Sequence, residues 1–167
     1  MTDTVSAILD AAEERIRGGG YSGFSFRDVA ADVGVKSSSV HYHFPAKEKL
    51  AAAVARRYTD RFVEAVDAEI ANGSEVVEAW RDVFRTALRR DGRMCLCGAL
   101  AATSHDLSEE IRVEVRRFFE LGIAKLQEGG LDRGTAIRVL SALEGAMLTA
   151  NILGDQTVFE SGSAALA

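Results

Sequence analysis

A chain of 167 residues has room for one domain, or for a small module joined to a somewhat larger one. Hydrophobic content of 47% with a single proline and few aromatics suits an all-α globular protein, and no run of about 18 apolar residues implies a membrane span. The net charge of −5 excludes a generally basic nucleic-acid coat, but it divides unevenly: residues 1–57 hold eight Lys/Arg against seven Asp/Glu, and residues 58–167 hold twelve against eighteen.

The first helix is expected from about Val5 to Arg17, where Val5, Ile8, Leu9, Ala12 and Ile16 share one face. Gly18-Gly19-Gly20 stops it, and Tyr21 and Phe24 anchor the following loop. The stretch FSFRDVAADVGVKSSSVHYHFPAKEKL, residues 24–50, then reads as two short helices around a tight glycine turn. Ser25 caps the first of them, and Asp28 suits the reciprocal half of a capping box. Val29 and Val33 share a face, and Ala30 is small enough for a second helix to cross closely. Gly34 sits where the chain turns sharply, a place for positive φ. Val35 and Val40 pack back on the first helix of the pair, leaving Lys36, Ser37, Ser38, Ser39, His41 and Tyr42 outward. Within residues 27–57 there are six basic side chains to three acidic ones, so positive charge gathers around this pair. A helix placed and dressed in this way suits the major groove of DNA.

From about Val5 to Val54 the chain resembles the DNA-binding domain of the tetracycline-repressor (TetR) family of transcriptional regulators. ILDAAEERIRGGGYSGFSFRDVAADVG resembles its first half and GVKSSSVHYHFPAKEKL its second, most specifically in Gly34, the His43–Phe44 pair and Lys47. The family usually has tyrosine directly after the apolar residue of the recognition helix; here that place is His41, with Tyr42 next. The resemblance implies that Lys36, Ser38 and Tyr42 contact an operator in double-stranded DNA and that Lys47, at the start of a long helix, clamps a phosphate. Ser37, Ser39 and His41 are further candidates on the recognition helix, and Ser25 and Arg27 are candidates for the DNA backbone. His43 reads as a packed histidine bonded to a backbone carbonyl.

Pro45 ends the recognition helix. The long helix from Ala46-Lys47-Glu48 is expected to reach about Ala71, closed by Asn72-Gly73. Ser74 is expected to cap a fifth helix running to about Arg90, which Asp91-Gly92 breaks. A small-residue helix over MCLCGALAATSH follows, then a helix Glu109–Glu128 capped by Ser108, and a last strong helix Arg133–Leu153. The tail from Gly154 is weakly patterned, with room for one short helix. The expectation is therefore a helix-turn-helix DNA-binding domain over 1–46 and a helical effector-binding and dimerisation domain over 47–167.

Trp80, Phe84, Met94, Cys97, Leu100, His105, Phe118 and Phe119 are candidates to line an effector pocket, although side chains at such helical spacing also suit plain core. The pocket itself is implied by the family resemblance, and His105 and Arg116 are candidates to orient a polar or anionic ligand. Gly122, Ala136, Ala142, Gly145 and Ala146 permit close helix crossing and are candidates for a homodimer interface, through the pair of helices the family uses. An internal bundle within one subunit would use the same small residues.

Cys95 and Cys97 point roughly 200° apart on a helix, which disfavours a disulfide between them. They are either small hydrophobes of a packed helix or a redox and electrophile sensor. His41 and His43 face different sides, and both cysteines with His105 lack a fourth ligand, so no metal or cofactor is expected. Ser-His-Asp spacing and a phosphate-binding glycine loop are also missing, so the chain is not expected to be an enzyme. The N-terminus, MTDTVSA, lacks a signal-peptide layout, and a cytoplasmic location with no membrane association is expected. The functional expectation is a homodimeric repressor released from a pseudo-palindromic operator by a small-molecule effector, which tilts the helix Lys47–Ala71. The alternative is a thiol-sensing DNA-binding regulator using Cys95 and Cys97.

Overall fold

The computed structural model describes residues 4–166, which form nine α-helices and no strand. The helices are α1 (Thr4–Gly19), α2 (Phe26–Val33), α3 (Ser37–His43), α4 (Lys47–Ala71), α5 (Val76–Asp91), α6 (Leu96–Ala101), α7 (Glu109–Glu128), α8 (Arg133–Leu153) and α9 (Thr157–Ser163). Short 3₁₀ turns at Tyr21–Gly23 and Ser104–Asp106 stand where the sequence suggests a loop and the end of a helix.

Two compact units share these helices. The first takes the chain up to Tyr58 together with Leu96–Arg116; the second takes Thr59–Cys95 and the chain from Arg117 onward. The division therefore does not fall at the expected 46/47 boundary, because α4 and α7 each belong partly to both units. In α4, Leu50, Val54, Tyr58, Phe62 and Val66 are buried at every fourth residue, so one apolar stripe serves the first unit and then the second.

In the first unit Ile8, Ala12 and Ile16 of α1 are fully buried, as are Val29 of α2 and Val40 of α3. Arg57 of α4 reaches α1, donating to Asp10 at 2.7 Å and lying 3.5 Å from the buried Glu13. In the second unit an aromatic cluster centres on Phe62, whose ring lies 5.0 Å from Phe84, 5.3 Å from Phe118 and 5.5 Å from Trp80. Burial of each ring contributes about 1.5–3 kcal/mol before conformational entropy is counted. Gly162 of α9 crosses α8 so closely that an added Cβ would sit 3.0 Å from Ala146 Cβ, and Arg85 of α5 holds Glu160 of α9 through two bonds of 2.7 and 2.9 Å.

Three helix ends differ from expectation. The N-cap of α5 is Glu75, with no side-chain bond, rather than Ser74. The small-residue helix is only Leu96–Ala101. The first helix continues through Gly19 before Gly20 turns it at φ 70°. The caps at Ser108, whose Oγ accepts from Ile111 N at 3.5 Å, and at Asp132, which accepts from Gly134 and Thr135 N–H, complete α7 and α8. By length and composition alone α8 is apolar enough to cross a membrane, with mean hydropathy 1.3. Its buried residues pack within the second unit, and Ile137, Leu148, Ile152 and Leu153 add an exposed apolar row.

Candidate nucleic-acid interface and effector region

The α2–α3 pair is built by local chemistry at both ends of α2. Ser25 Oγ accepts from Asp28 N–H at 3.2 Å and donates to the Asp28 carboxylate at 2.7 Å. Asp28 also accepts from the Ser25 backbone, and these bonds hold its carboxyl below the usual aspartate range, the Ser25 hydroxyl contributing most. This is the reciprocal box expected from the sequence. Ser25 is half-buried and committed to the cap. At the other end Gly34 adopts φ 76°, and Val35 N–H returns to Ala30 O at 3.0 Å, closing α2. Arg15 of α1 grips Asp32 through two bonds of 2.5 and 2.9 Å, which fixes α2 against α1 and holds the Asp32 carboxyl low.

On α3 only Val40 is buried; Ser37, Ser38, His41, Tyr42 and His43 are exposed, as is Lys36 at its N-cap, while Ser39 is half-buried. The two rings left in question by the sequence separate clearly. Tyr42 is 84% exposed, whereas the His41 ring stands edge-on to Phe26 at 4.5 Å. Tyr42 is thus the freer ring. His43, expected to be packed, is exposed instead and meets the Tyr42 ring at 5.1 Å. Phe44 leaves the helix at φ −130°, as the following proline requires.

Lys47 does not extend into solvent. Its Nζ lies 4.4 Å from the Tyr21 ring centroid and 4.6 Å from that of Phe24. Burial lowers its pKa, with Glu48 opposing. Burial, assisted by Glu48, pushes the Tyr21 hydroxyl up to about 12. The remaining basic residues of 27–57 sort into two sets. Lys49, Arg56 and Arg57 are committed to Glu110, Glu114, and Asp10 with Glu13. Arg27 and Lys36 are exposed and make no ion pair among the described residues. The positive footprint beside α3 therefore reduces to Arg27 and Lys36, with Lys47 held in reserve on its two rings.

The eight effector-pocket candidates do not form one group. Trp80, Phe84, Met94, Phe118 and Phe119 belong to the second unit; Cys97, Leu100 and His105 belong to the first. Trp80, Phe84 and Phe118 form the closed aromatic core with Phe62, and Phe119 stands perpendicular to Phe118 at 5.3 Å. His105 is exposed in its 3₁₀ turn, and Arg116 is exposed too. Two concavities open on the second unit. One of about 340 Å³ is lined by Asp67, Ile70, Lys125 and Glu128, the other of about 370 Å³ by Val77, Glu78, Leu131 and Leu166. Neither is lined by any of the eight candidates.

Of the dimer candidates, Gly122, Ala136 and Ala146 lie inside the second unit. A Cβ on Gly122 would meet Leu140 at 3.1 Å and Trp80 at 3.2 Å, Ala136 is fully buried, and Ala146 packs on Gly162. Their smallness serves the interior of one chain. Ala142 is half-buried, and Gly145 is exposed with no atom within 4 Å of its Cβ position. Gly145 shares the outer face of α8 with Ser141 and with Ile137, Leu148 and Ile152, exposed large apolar residues absent from the sequence-based candidates.

One group was invisible to pattern reading. Both carboxylate oxygens of Glu144, on the inner side of α8, are sealed from solvent and have no hydrogen-bond partner. Burial raises this carboxyl from 4.5 to about 7, and the neighbouring Cys95 thiol offsets part of the rise. A glutamate within EGAML reads as a solvated surface residue, and only the packed structure shows otherwise.

Comparison with known proteins bears on both units. The family model described as "Bacterial regulatory proteins, tetR family" matches residues 8–54. The HTH-type transcriptional repressor DhaR of Mycobacterium sp. (strain GP1) is 26% identical over 111 residues; the match covers 65% of this chain and 56% of that relative's length. A TetR transcriptional regulator from Legionella pneumophila has the same fold at TM-score 0.88 with 32% identity, covering 99% of this chain and 96% of that one. A TetR-family regulator from Agrobacterium tumefaciens follows at TM-score 0.86 with 26% identity, covering 96% and 94%.

Proposed function

This chain belongs to the TetR family of bacterial transcriptional regulators, and from that premise we propose that it is a homodimeric repressor released from its operator by a small-molecule effector. The observation that carries the DNA-reading half is the capped α2–α3 pair, which presents Lys36, Ser37, Ser38 and Tyr42 on one exposed helix with Arg27 nearby in sequence. Two such helices in a dimer enter successive major grooves about 34 Å apart. Tyr42 and Ser38 read base edges, while Lys36, Arg27 and Lys47 hold phosphates.

The outer face of α8 supports dimerisation. Leu148 at 56% and Ile152 at 78% exposure are costly to leave in water, and open Gly145 lets a second helix approach closely. An isologous contact across this face puts the same row on both sides. The effector acts in the second unit, shifting the population between DNA-competent and incompetent states, and α4, which belongs to both units, carries the change. A cytoplasmic location accords with this role.

The thiol-sensing alternative draws less support. Cys95 and Cys97 are both fully buried, and a buried carboxyl, Glu144, interacts with Cys95, both of which disfavour the thiolate.

The test is selection of bound duplexes from a random DNA library, repeated with Tyr42→Ala and Lys47→Ala. The wild type should select an inverted repeat. Tyr42→Ala should lose about 1–3 kcal/mol of discrimination at the base it reads, whereas Lys47→Ala should weaken all sequences alike and reduce the salt slope by about one. Failure of the wild type to enrich any sequence would sink the proposal.

A further inference from the structure

Resting on the proposal that the effector acts in the second unit, we infer that Glu144 is the anchor for an effector bearing a protonated amine on an apolar body. A carboxyl group with both oxygens buried and neither bonded is among the most costly arrangements a folded chain can keep. Its surroundings supply no cation to balance it. Leu140, one turn earlier on α8, packs against Gly122 beside the Trp80 ring. Met147, one turn later, has its sulfur occupied by the Cys95 backbone N–H at 3.0 Å. The Cys95 thiol is the one neighbouring group that favours the charged carboxylate, and as a weak uncharged donor it does so only in part.

Two bare acceptors in an apolar wall select a ligand with several hydrogens on one charged nitrogen. An ammonium group supplies those hydrogens and a full opposite charge, and Trp80, which meets Gly122 together with Leu140 one turn before Glu144, opens an aromatic core suited to an apolar body. An anionic ligand would meet a like charge, and a neutral alcohol would satisfy one oxygen only. The buried Nε1 of Trp80 is also without a partner, so the same interior retains an unused donor for an acceptor on the ligand body.

Because both oxygens are closed to solvent in this packing, a ligand reaches them only by parting α8 from the Cys95 segment. Occupancy therefore selects a different arrangement of the second unit, which is what an effector must do to change DNA affinity. Cys95 is followed directly in the chain by α6 of the first unit, so the displaced segment has a covalent path to the DNA-binding end.

The test uses the full chain and three probes of one shape: 2-phenylethylamine, 2-phenylethanol and 3-phenylpropanoate. Trp80 is the single tryptophan, so its fluorescence reports on this interior directly. The amine should bind wild type at least about tenfold more tightly than either other probe. E144Q, which keeps shape and relieves the buried charge, should remain folded and lose that preference, while C95S should keep it. The amine should also release wild-type protein, but not E144Q, from the selected operator. Amine binding no tighter than the alcohol, including no binding by any probe, overturns the proposal, as does an unchanged preference in E144Q. Operator selection without any probe tests the regulator reading separately, and release by all three probes alike would leave that reading standing while removing Glu144 as the anchor.

Discussion

The two compact units use the same pair of helices with opposite polarity. In the first, α4 presents cations and α7 anions: Lys49 to Glu110 at 3.0 Å and Arg56 to Glu114 at 2.5 Å. In the second, α4 presents anions and α7 cations: Asp60 to Arg117 at 2.5 Å and Asp67 to Lys125 at 2.6 Å. Each pair is weak alone, since exposed ion pairs contribute about 0–1 kcal/mol. Together they encode register, because sliding one helix far enough to exchange partners brings like charges together. The units also differ inside. Buried Glu13 of the first unit has Arg57 within 3.5 Å, whereas Glu144 of the second has no partner for either oxygen. Both buried acids of the first unit, Glu13 and Glu114, have an arginine beside them, whereas the second keeps one interior acid with no cation beside it.

The sharpest way to break that contrast is pH. The Glu144 carboxyl titrates near 4.5 in the unfolded chain and near 7 in the folded one. Between those values the unfolded chain has lost a proton that the folded chain still holds, so stability is highest below the lower value and falls as pH rises through the upper one. The loss should reach about 3 kcal/mol by pH 8, at about 1.4 kcal/mol per unit. Urea unfolding between pH 4.5 and 8 should show this slope in wild type and its absence in Glu144→Gln, which should be the more stable protein at pH 8. A wild-type slope equal to that of the variant would mean that the second unit hydrates its acid after all.

A smaller effect is expected at Arg56. Its guanidinium bonds Glu114 Oε1, while Oε2 of the same buried carboxylate has no hydrogen-bond partner. Arg56→Ala should destabilise the protein by about 1–3 kcal/mol, since it leaves a desolvated charge behind. Arg56→Ala with Glu114→Gln should recover most of that loss. If both variants lose equally, the guanidinium acts through packing rather than charge.

The smallest effect tests register itself. Lys49→Glu and Glu110→Lys should each cost about 0.2–1 kcal/mol, and the double exchange should restore stability, as a double-mutant cycle would show. Applied to Asp60 and Arg117, the same exchange should behave alike. A double exchange no better than the sum of its parts would remove the charge code.

Local chemistry explains which parts were readable in the sequence. Ser25, Gly34 and Pro45 act on their immediate neighbours, so α2, the turn and the end of α3 follow from residues a few places apart. The apolar spacing of α4, α7 and α8 was equally plain. Long-range packing decided the remainder. Gly122 and Ala146 are small because Leu140, Trp80 and Gly162 press on them within one chain, a demand that no periodicity distinguishes from that of a partner. His43 faces outward although its place beside Phe44 suggested packing, and Ser74 yields the cap of α5 to Glu75. Glu144 was hidden for the same reason, since its burial depends on Cys95, forty-nine positions away.

Seated on Tyr21 and Phe24, Lys47 carries its own spectroscopic label. The ε-methylene protons beside a nitrogen 4.4 and 4.6 Å from two ring centroids lie in the shielding cones of those rings and resonate upfield of an ordinary lysine. On the proposal that Lys47 clamps an operator phosphate, drawing the nitrogen away should abolish that displacement, so one side chain labelled with carbon-13 would report operator occupancy in solution without any added dye.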